Sequence, residues 1–500
     1  MNNLELVEGS APNPKKVNIK ALTYRPLLSE RDLLFKKYSH KLRVNTDLDR
    51  TLVSFQANRT TPFFNWFKYR EGFSSNLVRY IIENVSSRPG TLLDPFAGSG
   101  TALFEGAEQG WVTEGIELLP VGVFAIKARS ASKRVNALKF KKAVEAVLRE
   151  DFKKYYDEAF QFQHIPITEN AFPKGAEKEL VGYRSLINRK YKNNPDILTL
   201  LELGSFSILE EISFTRKDGQ YLRWDHRSGR SSGKSQFDKG KIDKFREAIS
   251  LKLNRISNDL LNIDSNPQQN LFMEKRSVLN NNYIEPILKQ GSCLKILPQF
   301  KDGSVDLIIT SPPYCNRYDY TRTYALELVY LDANADDVKS MRQDLLSCTV
   351  ENREKVSQLR EVYISLGKLE AFNHIYNVFN SQAALQEVLS LLDGLAAEDK
   401  LNNPNIAKMV RNYFFEMCFS LREMARILPP GGKLVMVNDN VQYAGEEVPV
   451  DLIICNFAES FGLKTNAIWV LPRGKGNSSQ QMGDHGRTEL RKCVYVLEKA

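Results

Sequence analysis

No apolar run in this chain approaches the roughly 18 residues that a bilayer crossing requires. The N-terminus lacks a hydrophobic stretch behind a basic start, so neither a membrane span nor a secretory signal is expected. Cysteine is scarce: the six residues, Cys293, Cys315, Cys348, Cys418, Cys455 and Cys493, contain no CxxC pair. That argues against a zinc ribbon or disulfide framework and fits a reducing, cytoplasmic setting. Only five histidines occur, none in a ligand-like pair, so a metal-centred enzyme is not expected. Internal repeats and low-complexity tracts are also missing. What is present, 42% apolar and 26% charged residues, excludes wholesale disorder. At about 100–200 residues per domain, 500 residues exceed one ordinary core.

The net charge of +9 is modest but unevenly placed. Residues 216–255 hold twelve Lys/Arg against five acids, an excess of seven in under a tenth of the chain. Such a stripe is the electrostatic footprint of a polyanion partner, or else a solvated surface hairpin and helix.

The order of local patterns divides the chain. Residues 1–60 carry turn signals (Pro12, Pro14) and a short charged amphipathic stretch over 30–43, and read as an arm with little core of its own. Residues 61–133 begin aromatic, then helical, with Ser74 or Ser75 as the cap and Leu77, Val78, Ile81 and Ile82 at helical spacing. A strand ending at Asp94, a glycine turn, a helix over 102–109, a strand over 111–118 and a helix opened by Pro120 then form a βαβ unit of a parallel sheet. Residues 134–285 break that rhythm: 134–163 read as one long charged helix, and the rest is mixed and polar. The α/β pattern resumes over 286–331, with a buried-type strand over 304–310. Residues 332–405 are almost wholly helical in pattern. Residues 406–500 return to the core with a helix, a strand from Lys433, a helix after Pro449 and two closing strands. The expectation is one α/β domain, a mostly parallel Rossmann-like sheet, carrying two large insertions.

A glycine turn after a first strand brings backbone close to a ligand, and the following helix N-terminus supplies donors. Here Gly98 and Gly100 are followed by Leu103, so the third glycine of a dinucleotide fingerprint fails; Gly100-Thr101 has no Walker lysine. What remains is a nucleoside ligand without a pyrophosphate, with Glu117 at the end of the second strand placed to accept from ribose hydroxyls. A tight strand–helix connection without any ligand is the plainer alternative.

Thr310-Ser311-Pro312-Pro313-Tyr314 follows the buried strand directly. Two prolines fix two φ angles and remove two donors, so the chain leaves the strand stiff. Ser311 Oγ and the carbonyl beside Pro312 can both accept from one amino group, while Tyr314 offers a face for a planar base. An exocyclic amine held in this way has its lone pair free for an electrophile.

With these two motifs the chain resembles the amino-methyltransferase family of DNA methylases, which use S-adenosylmethionine. Asp94-Pro95-Phe96-Ala97-Gly98-Ser99-Gly100-Thr101 is similar to the family's cofactor motif, Glu117 to its ribose-binding acid, and Phe73-Ser74 to an additional cofactor-lining motif. Where the family usually has an acid after a glycine, near the adenine, this chain has Gly291-Ser292-Cys293. Ser311-Pro312-Pro313-Tyr314 has the form typical of cytosine-N4 enzymes, and the motif order resembles the alpha arrangement. The resemblance implies that the first strand lies beside the strand ending at Thr310, joining both motifs in one crevice. Methyl transfer would then be an in-line displacement that needs positioning and no metal. A cytosine-C5 mechanism needs a Pro-Cys nucleophile; Cys315 follows Tyr314 and reads as an ordinary small residue.

The implied partner is double-stranded DNA with one base flipped, in a prokaryotic restriction–modification or phage-defence setting that can include a cognate endonuclease. For its recognition, 213–225 reads as a hairpin alternating basic and aromatic residues, with Arg216, Lys217, Tyr221, Arg223, Trp224 and the nearby Arg227 as contacts. The alternative is a structural hairpin whose Tyr221 and Trp224 pack on the core. A second candidate is the loop bearing Arg473, Lys475, Asn477 and Gln480. The 332–405 insertion reads more readily as a helical clamp. An adenine-N6 enzyme, an RNA base methylase and a catalytically silent nucleic-acid scaffold stay open from the residues alone.

Overall fold

The computed structural model describes residues 29–86, 88–218, 221–230, 236–265, 284–472 and 490–500. Its centre is an eight-stranded sheet: β1 (Leu42–Val44), β2 (Thr91–Asp94), β3 (Val112–Glu117), β4 (Ile287–Gln290), β5 (Leu307–Thr310), β6 (Lys433–Asp439), β7 (Leu463–Val470) and β8 (Lys492–Lys499). Across the sheet the order is β1-β7-β8-β6-β5-β2-β3-β4. Only β8 runs against its neighbours, so the expected Rossmann-like, mostly parallel sheet is what forms. β2 pairs with β3 on one side and with β5 on the other, Leu92 opposite Leu307 and Leu93 opposite Ile308. The chain order reverses there, which opens a crevice at the carboxyl ends of β2 and β5.

Strand alternation sorts the core into two layers. Leu92, Leu307, Ile309, Val435 and Val437 face the helix Ser75–Val85. Leu93, Ile308, Leu434 and Met436 face the opposite side, packed with the long helix Ile406–Ile427 and the helices of 356–397. A further core joins the region after Arg134 to Trp66, Phe67, the helix Pro120–Arg134 and Tyr324–Val338. Among the described residues, no helix is long and apolar enough to cross a membrane.

Two local expectations are corrected. The stretch 134–163 is not one helix: the helix Pro120–Arg134 ends there, Asn136 caps a new helix (Ala137–Leu148) by accepting from Lys139 N at 2.9 Å, and two short 3-10 turns follow. The described part of the N-terminal arm has its own place in the core. Ser29 and Asp32 form a reciprocal cap on the helix Glu30–Tyr38, which buries Leu34 and Tyr38. β1 then joins the sheet parallel to β7, with Leu42 opposite Ile468. A three-residue edge strand is too short to show a period in sequence; its partner, more than 400 residues away, creates it.

Candidate active site

A cavity opens at the crevice, the place where open α/β sheets bind small ligands. Its walls come from four neighbouring strand ends. β5 contributes Ser311 and Pro313; β2 contributes Asp94, Pro95, Phe96, Gly98 and Thr101; β3 contributes Glu117; the turn after β4 contributes Ser292 and Cys293. Phe73 closes one side. Thr310 Oγ1 donates to Asp94 Oδ1 at 2.7 Å, a buried bond that ties the strand before the tetrapeptide to the strand before the glycine turn.

The turn is built around Glu117. Gly98 N–H donates to Oε2 and Leu119 N–H to Oε1, both at 2.7 Å. Gly98 sits at φ +52°, and a Cβ there would lie 3.0 Å from the Tyr69 ring. Arg129 adds a clamp missed in the sequence: its guanidinium donates to the Ser99 carbonyl at 2.6 Å and lies over the Phe64 ring. Burial pushes the Glu117 carboxyl up to about 7, against the opposing pull of its backbone donors. Burial likewise pushes Asp94 up to about 7, the Thr310 bond acting the other way.

Those two shifts set a pH dependence. Unfolded, both carboxyls lose their protons near about 4, whereas the folded protein keeps them to about 7. Between these values the folded state binds more protons, so stability falls as pH rises from about 4 to about 7. The unliganded protein should therefore melt at a lower temperature at pH 7 than at pH 5.5. Glu117→Gln should flatten that slope; a variant with the wild-type slope would remove Glu117 from the account.

Ser311 Oγ donates to the Tyr314 hydroxyl at 3.3 Å, which leaves the serine lone pairs free to accept from an amino group. Burial pushes the Tyr314 phenol up, so it stays protonated. Pro312 and Tyr314 do not line the cavity. Burial also pushes the Cys315 thiol well up, in keeping with an inert small residue.

Two residues expected at the cofactor lie off the cavity. Ser74 is fully buried, caps the helix Ser75–Val85 and donates to the Leu52 carbonyl at 2.7 Å. Gly100 begins the helix Thr101–Glu108 at φ +78°, where a Cβ would meet Ile126 at 2.7 Å, so its smallness serves packing. The walls also include residues that local reading missed. Tyr69, Glu71 and Gly72 come from the aromatic run after Thr61, Tyr320 from just beyond the tetrapeptide, and Asp344, Leu345 and Leu346 from the helical insertion. The aromatic run was a visible signal; Asp344 had none. Ser292 Oγ donates to the Asp344 carbonyl at 2.8 Å, and the next turn is pinned by a buried pair, Lys355 Nζ to Glu416 Oε1 at 2.7 Å, with Ser347 N–H on Glu416 Oε2 at 2.8 Å.

The basic hairpin exists: Thr215–Asp218 pairs antiparallel with Tyr221–Trp224. Arg216 is exposed and faces Arg223 in register; Arg223 is exposed, bonded to Asp218 at 3.0 Å and stacked over Phe237. Lys217 is corrected from a phosphate contact to an interior residue, since its ammonium is bonded to buried Glu327. Trp224 packs in the core, as the structural alternative had it, and Arg227 is held bidentate by Asp225. The Tyr221 side chain and the loop with Arg473, Lys475, Asn477 and Gln480 lie outside the described residues.

A mostly parallel sheet with its switch-point cavity, an acid on the second strand and a Ser-Pro-Pro-Tyr exit from the neighbouring strand define a Rossmann-like methyltransferase. Comparison with known proteins agrees. The chain is 43% identical over 470 residues to the type II methyltransferase M.AvaI of Nostoc sp. (strain PCC 7120 / SAG 25.82 / UTEX 2576), covering 93% of this chain and 92% of that one. It is 39% identical over 484 residues to the type II methyltransferase M.BsoBI of Geobacillus stearothermophilus, covering 94% and 92%. A more distant relative, the type II methyltransferase M.MvaI of Kocuria varians, is 22% identical over 425 residues, covering 81% of this chain and 84% of that one. No family model and no solved structure matches the chain. The chain belongs to the type II DNA methyltransferases.

Proposed function

We propose that the protein transfers a methyl group from S-adenosylmethionine to N4 of a flipped cytosine in double-stranded DNA, as the modifying half of a restriction–modification or phage-defence system. The observation that carries this reading is the Thr310–Asp94 bond, which puts Ser311 and the glycine turn on one cavity. The lining suits this cofactor. Its acidic side chains are Glu71, Asp94, Glu117 and Asp344 among the described residues, with no Lys, Arg or His, and the ligand bears a sulfonium and an ammonium. Ser292, Cys293, Leu345 and Leu346 offer a largely apolar wall for a base at the β4 end. Glu117 would accept from ribose hydroxyls midway, and Asp94 ends the strand beside the one that leads to Ser311. When bound, the cofactor supplies an electrophilic methyl on sulfur. The protein's part is to hold the amino group: Ser311 Oγ accepts its hydrogen bond while giving its own proton to Tyr314. Ser311 in the first position supports cytosine.

Ser311→Ala should leave cofactor affinity unchanged and lower turnover by about 10–100-fold, the scale of one transition-state hydrogen bond. Tyr314→Ala should cost both DNA binding and rate, since base stacking is worth about 1–3 kcal/mol. The base itself is tested by hydrolysing DNA from an expressing host and measuring the modified nucleosides by mass spectrometry. N4-methylcytosine is expected; N6-methyladenine alone would overturn the base assignment while leaving the cofactor and mechanism in place.

A further inference from the structure

We propose that Glu71 is the anionic seat for the ammonium of the cofactor's amino-acid end, an assignment that rests on the S-adenosylmethionine reading. Glu71 lies two residues before Phe73 and lines the cavity with it. Its Oε1 accepts from the Tyr318 hydroxyl and its Oε2 from the Tyr324 hydroxyl. Burial pushes both phenols well up, so they remain donors. Each carboxylate oxygen keeps a further lone pair.

The carboxylate is held rigidly. The Tyr324 ring stacks on Tyr69 at 5.2 Å with 10° between planes, and Tyr69 is the ring that meets the Gly98 turn. Tyr318 and Tyr324 both follow the catalytic tetrapeptide, so the two hydroxyl bonds fix Glu71 against the segment that leaves Ser311.

The other acids of the wall already have partners within the protein. Asp344 is paired with Lys295 at 2.7 Å. Glu117 is occupied by two backbone N–H groups, and Asp94 by Thr310 and the Phe96 N–H. Among the described residues Glu71 receives hydroxyl donors only and makes no ion pair. A carboxylate held in a half-enclosed cavity without a protein cation favours a cation brought by the ligand. Of the cofactor's two positive groups, the ammonium carries N–H donors able to take up the free lone pairs; the sulfonium has none.

Calorimetry on the full chain, wild type and Glu71→Gln, tests this with three ligands: S-adenosylmethionine, S-adenosylhomocysteine and 5′-methylthioadenosine, which lacks the amino-acid end. Glutamine keeps the shape and an acceptor for a tyrosine but loses the charge. Affinity for the first two should fall about 10–100-fold, the range of a charge-assisted hydrogen bond, while 5′-methylthioadenosine binds as in the wild type. Unchanged affinity for all three overturns the assignment. Equal losses for all three also overturn it, because the residue is then structural. A loss for S-adenosylmethionine alone moves Glu71 to the sulfonium and overturns the ammonium seat. A wild-type protein that binds none of the three overturns the cofactor reading itself, and this assignment with it.

Discussion

Lys217→Ala is expected to destabilise the protein by about 3–5 kcal/mol, the cost of stranding a buried charge. Lys217 and Glu327 are 4% and 3% exposed, and the ammonium lies 4.2 Å from the centre of the Tyr324 ring. Burial raises the Glu327 carboxyl, with Lys217 pulling it back down. Without the lysine, that carboxyl must be protonated or left unpaired in an apolar setting. Chemical unfolding should show a lower midpoint for the single variant, and the Lys217→Met/Glu327→Gln double variant should recover most of the loss. A single variant with wild-type stability would show that the pair contributes nothing. Arg216→Ala, one position away, should behave in the opposite manner. It is exposed and faces Arg223 across the hairpin. Stability should therefore stay within about 0.5 kcal/mol. DNA affinity should weaken, and the slope of log affinity against log salt should flatten by about 1. If affinity and slope both stay put, the hairpin is structural and the target is read elsewhere.

Gly98→Val should lower S-adenosylmethionine affinity by at least about 100-fold, or about 2.7 kcal/mol, while the sheet stays folded. Two costs coincide at that position. At φ +52° a β-branched residue is strained, and its Cβ would sit 3.0 Å from the Tyr69 ring. Relief requires the turn or Tyr69 to move, and either movement disturbs the Gly98 N–H bond to Glu117 at 2.7 Å. Gly100→Val provides the contrast, because its Cβ would strike Ile126 and Phe104 in the interior rather than the cavity wall. It should lower the melting temperature more than it changes the affinity of whatever remains folded. Calorimetry paired with thermal melts separates the two outcomes. Unchanged affinity in Gly98→Val would remove the turn from the site.

The amino-acid sequence by itself determined the parts whose physics is local. The mostly parallel sheet was legible because β2, β5 and β6 are short, largely apolar runs bounded by turns and helices. Asp94, Gly98, Glu117 and Ser311 stood out because each lies at a strand end or in the turn that follows it, and all four line one cavity. Ser74 was recognisable as a cap, and its capping bond to Leu77 N at 3.2 Å is one reason it is not available to a ligand. What the tertiary structure alone decided depends on contacts between distant segments. Lys217 and Arg216 look alike in a basic stripe; burial against Glu327, 110 residues away, separates them. Asp344 reaches the cavity because Ser292 bonds its carbonyl across 52 residues and Glu416 pins the following turn. Glu71 becomes a fixed carboxylate only when Tyr318 and Tyr324, about 250 residues on, close over it. Periodicity and turn chemistry act over a few residues. Burial and charge pairing are set by which surfaces meet, and only the folded chain brings those surfaces together.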